Sequence, residues 1–141
     1  MLSYLIYVSV RKSECNYQEI QKILQTSVEN NQKNKITGIL LYSDLHFIQY
    51  IEGNESDLKE CYSKIKIDRR HKFPKIIEEG NIIQRTFSEW NMALKQFTPS
   101  SFEYQTEASG NEKELFKQIL SGEIANDCRL VDFIKNFFTY G

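Results

Sequence analysis

Glycine and proline are scarce here, six and two in 141 residues, against a usual combined share of ~12%. Long irregular loops therefore have little to be built from, and helix and strand should account for most of the chain. Cysteine is rare as well. Cys15, Cys61 and Cys128 are odd in number, widely spaced and outside any CxxC or CxxH pattern, so neither a disulfide framework nor a zinc site is indicated. His46 and His71 lack metal-ligand spacing, and no metal is expected. No run approaches the ~18 apolar residues that span a bilayer, and Met1-Leu2-Ser3-Tyr4 carries no charged segment ahead of an apolar one. The expectation is no membrane association and a cytoplasmic location. An excess of one charge is missing too. Eighteen Lys and Arg against 19 Asp and Glu leave −1, so no strong field favours nucleic acid, and direct nucleic-acid binding is not expected. What the chain has in quantity is aromatic bulk: nine Phe, eight Tyr and one Trp, enough for a packed core and too much for disorder.

At ~150 residues per domain, this length makes one domain with a short appendage and leaves no room for a separate catalytic unit. Leu2 to Val10 is apolar on both alternating sets, with Leu2, Tyr4, Ile6 and Val8 on one face and Leu5, Tyr7 and Ser9 on the other, which predicts a central strand buried on both sides. Asn16 and Glu19 form a variant capping box, and Ile20, Ile23, Leu24, Ser27, Val28 and Asn31 have helical spacing, predicting a helix over 17–32. Two short apolar runs, 36–42 and 47–51, flank Ser43-Asp44-Leu45-His46 as an antiparallel hairpin. Asn54 can cap a second helix, with Leu58, Cys61, Tyr62 and Ile65 on its apolar face, down to about Asp68. A strand run follows over 75–84, interrupted by Glu78-Glu79-Gly80, and then a run over 90–97 in which Trp90, Met92 and Leu94 share a face.

The order β-α-β-β-α-β-β is that of an α+β, ferredoxin-like fold, a mixed five-stranded sheet with two helices on one face. That accounts for residues 1–97. Residues 98–141 read as a polar linker and a C-terminal extension of two short amphipathic helices, carrying Leu115, Phe116, Ile119 and Leu120, then Leu130, Val131, Phe133, Ile134, Phe137 and Phe138. The sheet face left bare by the first two helices is the nearest apolar surface for them, and the same stripes could form a homo-oligomer seam.

Polar side chains on faces that periodicity marks as buried each need a partner or a ligand. Asn31 extends the apolar stripe of the first helix. It reads either as a C-terminal cap or, since its amide offers both a carbonyl and an NH₂, as a group recognising a planar heterocycle. If the first and third strands are neighbours, Tyr7 and Gln49 could hydrogen-bond beneath the helices; the plainer alternative is a satisfied core tyrosine. Lys64, Asp68, Arg70 and His71 gather at the end of the second helix, either as ordinary helix-end charge or as a site for a phosphate or polar tail. Together these positions frame a cleft between the two helices suited to an elongated heteroaromatic ligand.

The same residues carry a resemblance. Leu5-Ile6-Tyr7-Val8-Ser9, Asn30-Asn31, Ile36-Thr37-Gly38, Phe47-Ile48-Gln49 with Glu52-Gly53, Asp68-Arg69-Arg70-His71, and Phe87 through Trp90 to Met92 stand in the order seen in BLUF domains, blue-light sensors that use flavin adenine dinucleotide. Each segment is weak alone and the ordered set is specific. The resemblance implies the ferredoxin-like fold with the flavin ring between the helices, and FAD as cofactor, with FMN or riboflavin as substitutes in isolation. Tyr7 and Gln49 would be the photoactive pair, with Trp90 and Met92 exchanging places near the glutamine. Ser9, Asn30, Asn31, Lys64, Asp68, Arg70 and His71 would hold the cofactor. The one departure is Arg69, where many members have proline.

The expectation is thus a photoreceptor and not an enzyme. Light would rearrange the hydrogen bonds of Tyr7 and Gln49, the last strand and the C-terminal helices would carry the change, and a downstream signalling protein would receive it. A light-independent interaction module on the same fold would leave Tyr7, Gln49, Asn31 and His71 without a reason. An acylphosphatase-like hydrolase would need an anion cradle near Arg11, but Val10-Arg11-Lys12-Ser13-Glu14 has no glycine to form one.

Overall fold

A computed structural model describes residues 1–87 and 92–96. In chain order they form β1 (Leu2–Arg11), α1 (Tyr17–Asn34), β2 (Thr37–Tyr42), β3 (His46–Asn54), α2 (Glu55–Lys66), β4 (His71–Asn81) and β5 (Ala93–Gln96). The five strands make one sheet in the order β4-β1-β3-β2-β5, antiparallel except for the β2–β5 edge pair. This is the expected split βαβ sheet with an added strand.

Local chemistry accounts for the element ends. The Asn16 side chain accepts the Glu19 N–H at 3.0 Å, satisfying one of the amide groups that an α-helix start leaves open. At the other end α1 runs two residues beyond the expected Gln32. Lys35 takes the left-handed conformation (φ 55°), and Ile36 N–H also bonds to Asn31 O at 2.9 Å. The terminating role read for Asn31 therefore belongs to Lys35, and the Asn31 side chain lies inside the last helical turns. The hairpin loop closes with Ser43 N–H on His46 O, while Ser43 Oγ accepts the Leu45 and His46 amides.

β4 differs from the reading in its start and in its continuity. β4 begins at His71 and passes unbroken through Glu78-Glu79-Gly80. It is an edge strand with register irregularities against β1, so its outward side chains are free to be charged and the acidic pair does not interrupt it. Gly38 is required where β2 meets β3, because a Cβ there would lie 2.0 Å from Tyr50 O.

The core lies between the helices and one sheet face, from Leu5, Tyr7, Leu40, Phe47 and Ile51 to Ile20 of α1 and Leu58 of α2. The other face is also buried, with Ile6, Ile39 and Leu41 at 0% exposure. The helices expected over that face, the linker before them, and Trp90 lie outside the described residues.

Candidate functional site

Between helices α1 and α2, over the middle of the sheet, lies a cavity open in part to solvent, the kind of concave place between elements where small molecules bind. Its floor is Tyr7, Leu40, Phe47 and Gln49. One wall is α1, through Ile23 to Asn34, and the other is α2 and the turn beyond it, through Cys61 to His71.

Tyr7 and Gln49 are register partners in the β1–β3 pair, so the two side chains rise side by side on the helix-facing side of the sheet. The Tyr7 hydroxyl donates to Gln49 Oε1 at 2.5 Å. The other end of the amide, Nε2, donates to Met92 Sδ at 3.3 Å. This orientation follows from the partners. Rotated by half a turn, the amide would set Oε1 against a thioether that has no hydrogen to give. Burial, reinforced by Cys61, Tyr62 and Asp68, pushes the Tyr7 phenol far above its ordinary value, so it stays protonated across the working pH range and keeps its donor role.

The C-terminal half of α1 presents amides. Asn31 is buried, Asn30 is exposed at the rim, Asn34 follows one turn on, and all three line the cavity. The end of α2 is constructed differently. Arg70 donates to both Asp68 oxygens, through Nε at 3.0 Å and Nη2 at 2.6 Å. Burial alone would raise the Asp68 carboxyl, but the bonds from Arg70 outweigh it and hold the group below its ordinary value. His71 Nε2 lies 2.6 Å from Ile65 O and Nδ1 2.7 Å from Ser9 Oγ. A carbonyl can only accept, so Nε2 carries a proton, and in the neutral imidazole Nδ1 is then the acceptor to which the Ser9 hydroxyl donates. Both ring nitrogens of His71 are thus used inside the protein, and the imidazole presents its ring to the cavity. Lys64 lines the outer edge, exposed and 3.8 Å from Glu60.

Of the residues expected to form a site, Tyr7, Asn30, Asn31, Gln49, Lys64, Asp68, Arg70 and His71 all line this one cavity. Ser9 reaches it only through His71, Met92 through Gln49, and Trp90 lies outside the described residues. Sequence reasoning missed Thr26 and Cys61, which also line it. Thr26 sits one place off the apolar stripe of α1 and gives no periodic signal, and Cys61 reads as ordinary core. Arg11, the candidate for an anion cradle, instead binds Cys15 O and Ser43 O and stacks on Tyr42.

The donor set suits a flat, elongated group. Side-chain amides stand at one end, where α1 stops, and apolar Ile23, Leu40, Phe47 and Ile65 form the middle. The cations Lys64 and Arg70 stand at the other end, because α2 runs opposite to α1.

A family model described as sensors of blue light using FAD, BLUF, matches residues 2–93. The chain is 31% identical over 93 residues to photoactivated adenylate cyclase subunit beta of Euglena gracilis, covering 64% of this chain and 11% of that protein. It is 35% identical over 71 residues to the blue light- and temperature-regulated antirepressor BluF of Escherichia coli, covering 50% and 18%. It therefore spans only a small part of the length of these relatives. Among solved structures, the dark state of BlrB, a BLUF protein, superposes with a TM-score of 0.69 at 30% identity, covering 85% of this chain and 96% of that one. The ground state of BlsA does so with a TM-score of 0.70 at 25% identity, covering 95% and 99%.

Proposed function

The chain belongs to the BLUF family, sensors of blue light using FAD, and on that premise we propose that residues 1–97 form the sensor and that Tyr7 and Gln49 are its switch. The observation that carries this reading is the Tyr7–Gln49–Met92 chain of hydrogen bonds on the floor of the cavity between the helices. Flavin bound there supplies the blue absorption and an electron acceptor for the Tyr7 phenol; the form used is FAD. Asn30 and Asn31 hold the polar edge of the ring, and Lys64 and Arg70 lie toward the phosphate-bearing tail. Asp68 aims Arg70, and Ser9 with His71 ties the end of α2 to β1.

The amide of Gln49 suits a switch because its two ends differ. Rotation would turn its NH₂ toward Tyr7, whose oxygen then accepts, and would take the N–H away from Met92; tautomerisation to the imidic acid would instead give Oε1 a proton to donate to Tyr7 and leave the nitrogen with a single N–H. Met92 immediately precedes β5, so the change in one side chain becomes a change in how the edge strand is held. The signal leaves by that strand and the C-terminal extension to a partner protein. Output by protein contact accords with two relatives whose names describe regulation by light, a cyclase and an antirepressor.

The test is the absorption spectrum of the purified protein, reconstituted in turn with FAD, FMN and riboflavin. Flavin is expected to bind, tightest as FAD, and to show a small reversible red shift under blue light. Gln49→Ala and Tyr7→Phe are expected to keep the flavin and lose the shift entirely. A colourless protein after reconstitution overturns the sensor reading, and normal switching in Gln49→Ala overturns the role given to Gln49.

A further inference from the structure

The face of β3 opposite the cavity carries a second polar cluster that the switch does not use. Glu52 is wholly buried, at 0% exposure, and its carboxylate is saturated with donors. Oε1 accepts from Thr37 Oγ1 at 3.1 Å and from Phe87 N–H at 2.6 Å. Oε2 accepts from the Tyr50 hydroxyl at 2.9 Å and from Thr86 N–H at 2.8 Å. Each oxygen thus faces one backbone N–H, which can only donate, and one hydroxyl, so the carboxylate is held from both sides by charge-assisted contacts. Arg85 extends the grip: Nη1 donates to Thr37 Oγ1 and to Glu52 O, and Nη2 to Lys35 O.

What this cluster holds is the chain leading to β5. Thr86 and Phe87 stand six and five residues before Met92, which Gln49 holds from the same strand on the other face. One strand thus grips one connection at two points, through a neutral amide at Met92 and through a carboxylate at Thr86 and Phe87. If both were loose, release of Met92 would disperse as general loosening. The pinned near end gives a movement of Met92 a fixed reference on the side away from β5.

We propose that Glu52 is a positioning residue for signalling, a fixed anchor against which the Gln49–Met92 contact moves β5. The proposal rests on the flavin-sensor reading given above. Glu52→Gln keeps the size of the side chain but replaces one acceptor oxygen by a donor that must face a Thr86 or Phe87 amide, so the anchor opens while the cavity floor is untouched.

The test is amide hydrogen exchange of the full chain with bound flavin, dark and illuminated, in peptides covering 85–96, alongside the spectrum. In the wild type, light is expected to raise exchange in 92–96 and leave Thr86 and Phe87 protected. In Glu52→Gln the flavin and its red shift are expected to persist. Dark exchange at 86–87 is expected to rise about tenfold or more, as loss of a charge-assisted bond allows, and the light-driven increment in 92–96 to vanish. Glu52→Asp should restore part of the increment. Thr37→Val, which removes one donor and the Arg85 contact but keeps shape, should give the same pattern at smaller size. An increment of wild-type size in Glu52→Gln overturns the anchor, as does exchange that rises equally in β1 and β3, which would mark Glu52 as merely structural. Absence of a red shift in the wild type is a separate outcome, and overturns the sensor reading on which the proposal stands.

Discussion

Gln49 and Glu52 stand three residues apart on β3 and, by the alternation of a strand, on opposite faces. Both are buried polar groups, and both reach the chain that leads into β5. Gln49 does so with a neutral amide that has a phenol on one end and a thioether on the other. Glu52 does so with a carboxylate that has two donors on each oxygen. A neutral hydrogen bond contributes about 0.5–1.5 kcal/mol net and one to a charged group about 1.5–3, so the first arrangement can exchange partners at modest cost and the second cannot. A single strand therefore carries both a group suited to change and a group suited to stay, and the sheet alternation keeps them from interfering with each other.

The largest expected effect tests that contrast through stability. Glu52→Leu leaves the Thr86 and Phe87 amides without an acceptor in the interior, and it should lower unfolding stability by about 3–5 kcal/mol. Gln49→Leu leaves only a phenol that can reorient, and should cost about 1 kcal/mol. Urea unfolding of the two variants with flavin removed reads the difference directly. Equal costs would break the distinction between anchor and switch.

Much of this arrangement was legible in the residues, and the exceptions have physical causes. The double apolar alternation of β1 marked it as central, and the βαβ order then required β1 and β3 to be neighbours, which brought Tyr7 opposite Gln49. The cavity followed from polar residues on apolar faces. The end of α1 was misread because the left-handed residue there is Lys35 and not the glycine that usually signals such a position. β4 looked interrupted because an edge strand does not need alternating burial. The Glu52 cluster left no mark beyond the Glu52-Gly53 pair. Two of its donors are backbone amides, which have no signature in sequence, and they stand 34 and 35 residues away.

A smaller effect decides to which side of the comparison the end of α2 belongs. Ser9→Ala removes the hydroxyl that donates to His71 Nδ1, and should cost about 1–2 kcal/mol. Tyr7 and Gln49 keep their contact, so the light-induced red shift should retain its amplitude while flavin dissociates more readily. Unfolding and a flavin titration on the same variant check both. A lost shift would place Ser9 and His71 with the switch and not with the scaffold.

The smallest expected effect concerns the pair that closes the same end of the cavity. Asp68 and Arg70 are about a third exposed, so solvent screens their bond and it contributes up to about 1 kcal/mol. Burial opposes ionisation of Asp68, but the Arg70 bonds prevail and its folded-state value is depressed. A depressed carboxyl contributes stability that is fully present above its ordinary value of about 4 and is lost as pH falls through the folded-state value. Asp68→Asn should therefore be less stable than the wild type at pH 7 by up to about 1 kcal/mol, with the gap closing in acid as the wild-type carboxyl takes up its proton. Urea unfolding of both proteins at stepwise lower pH measures it. A gap that persists after that carboxyl is protonated would mean that Asp68 acts through the shape of its contact with Arg70 and its backbone amide, which would move it from the electrostatic to the structural part of the scaffold.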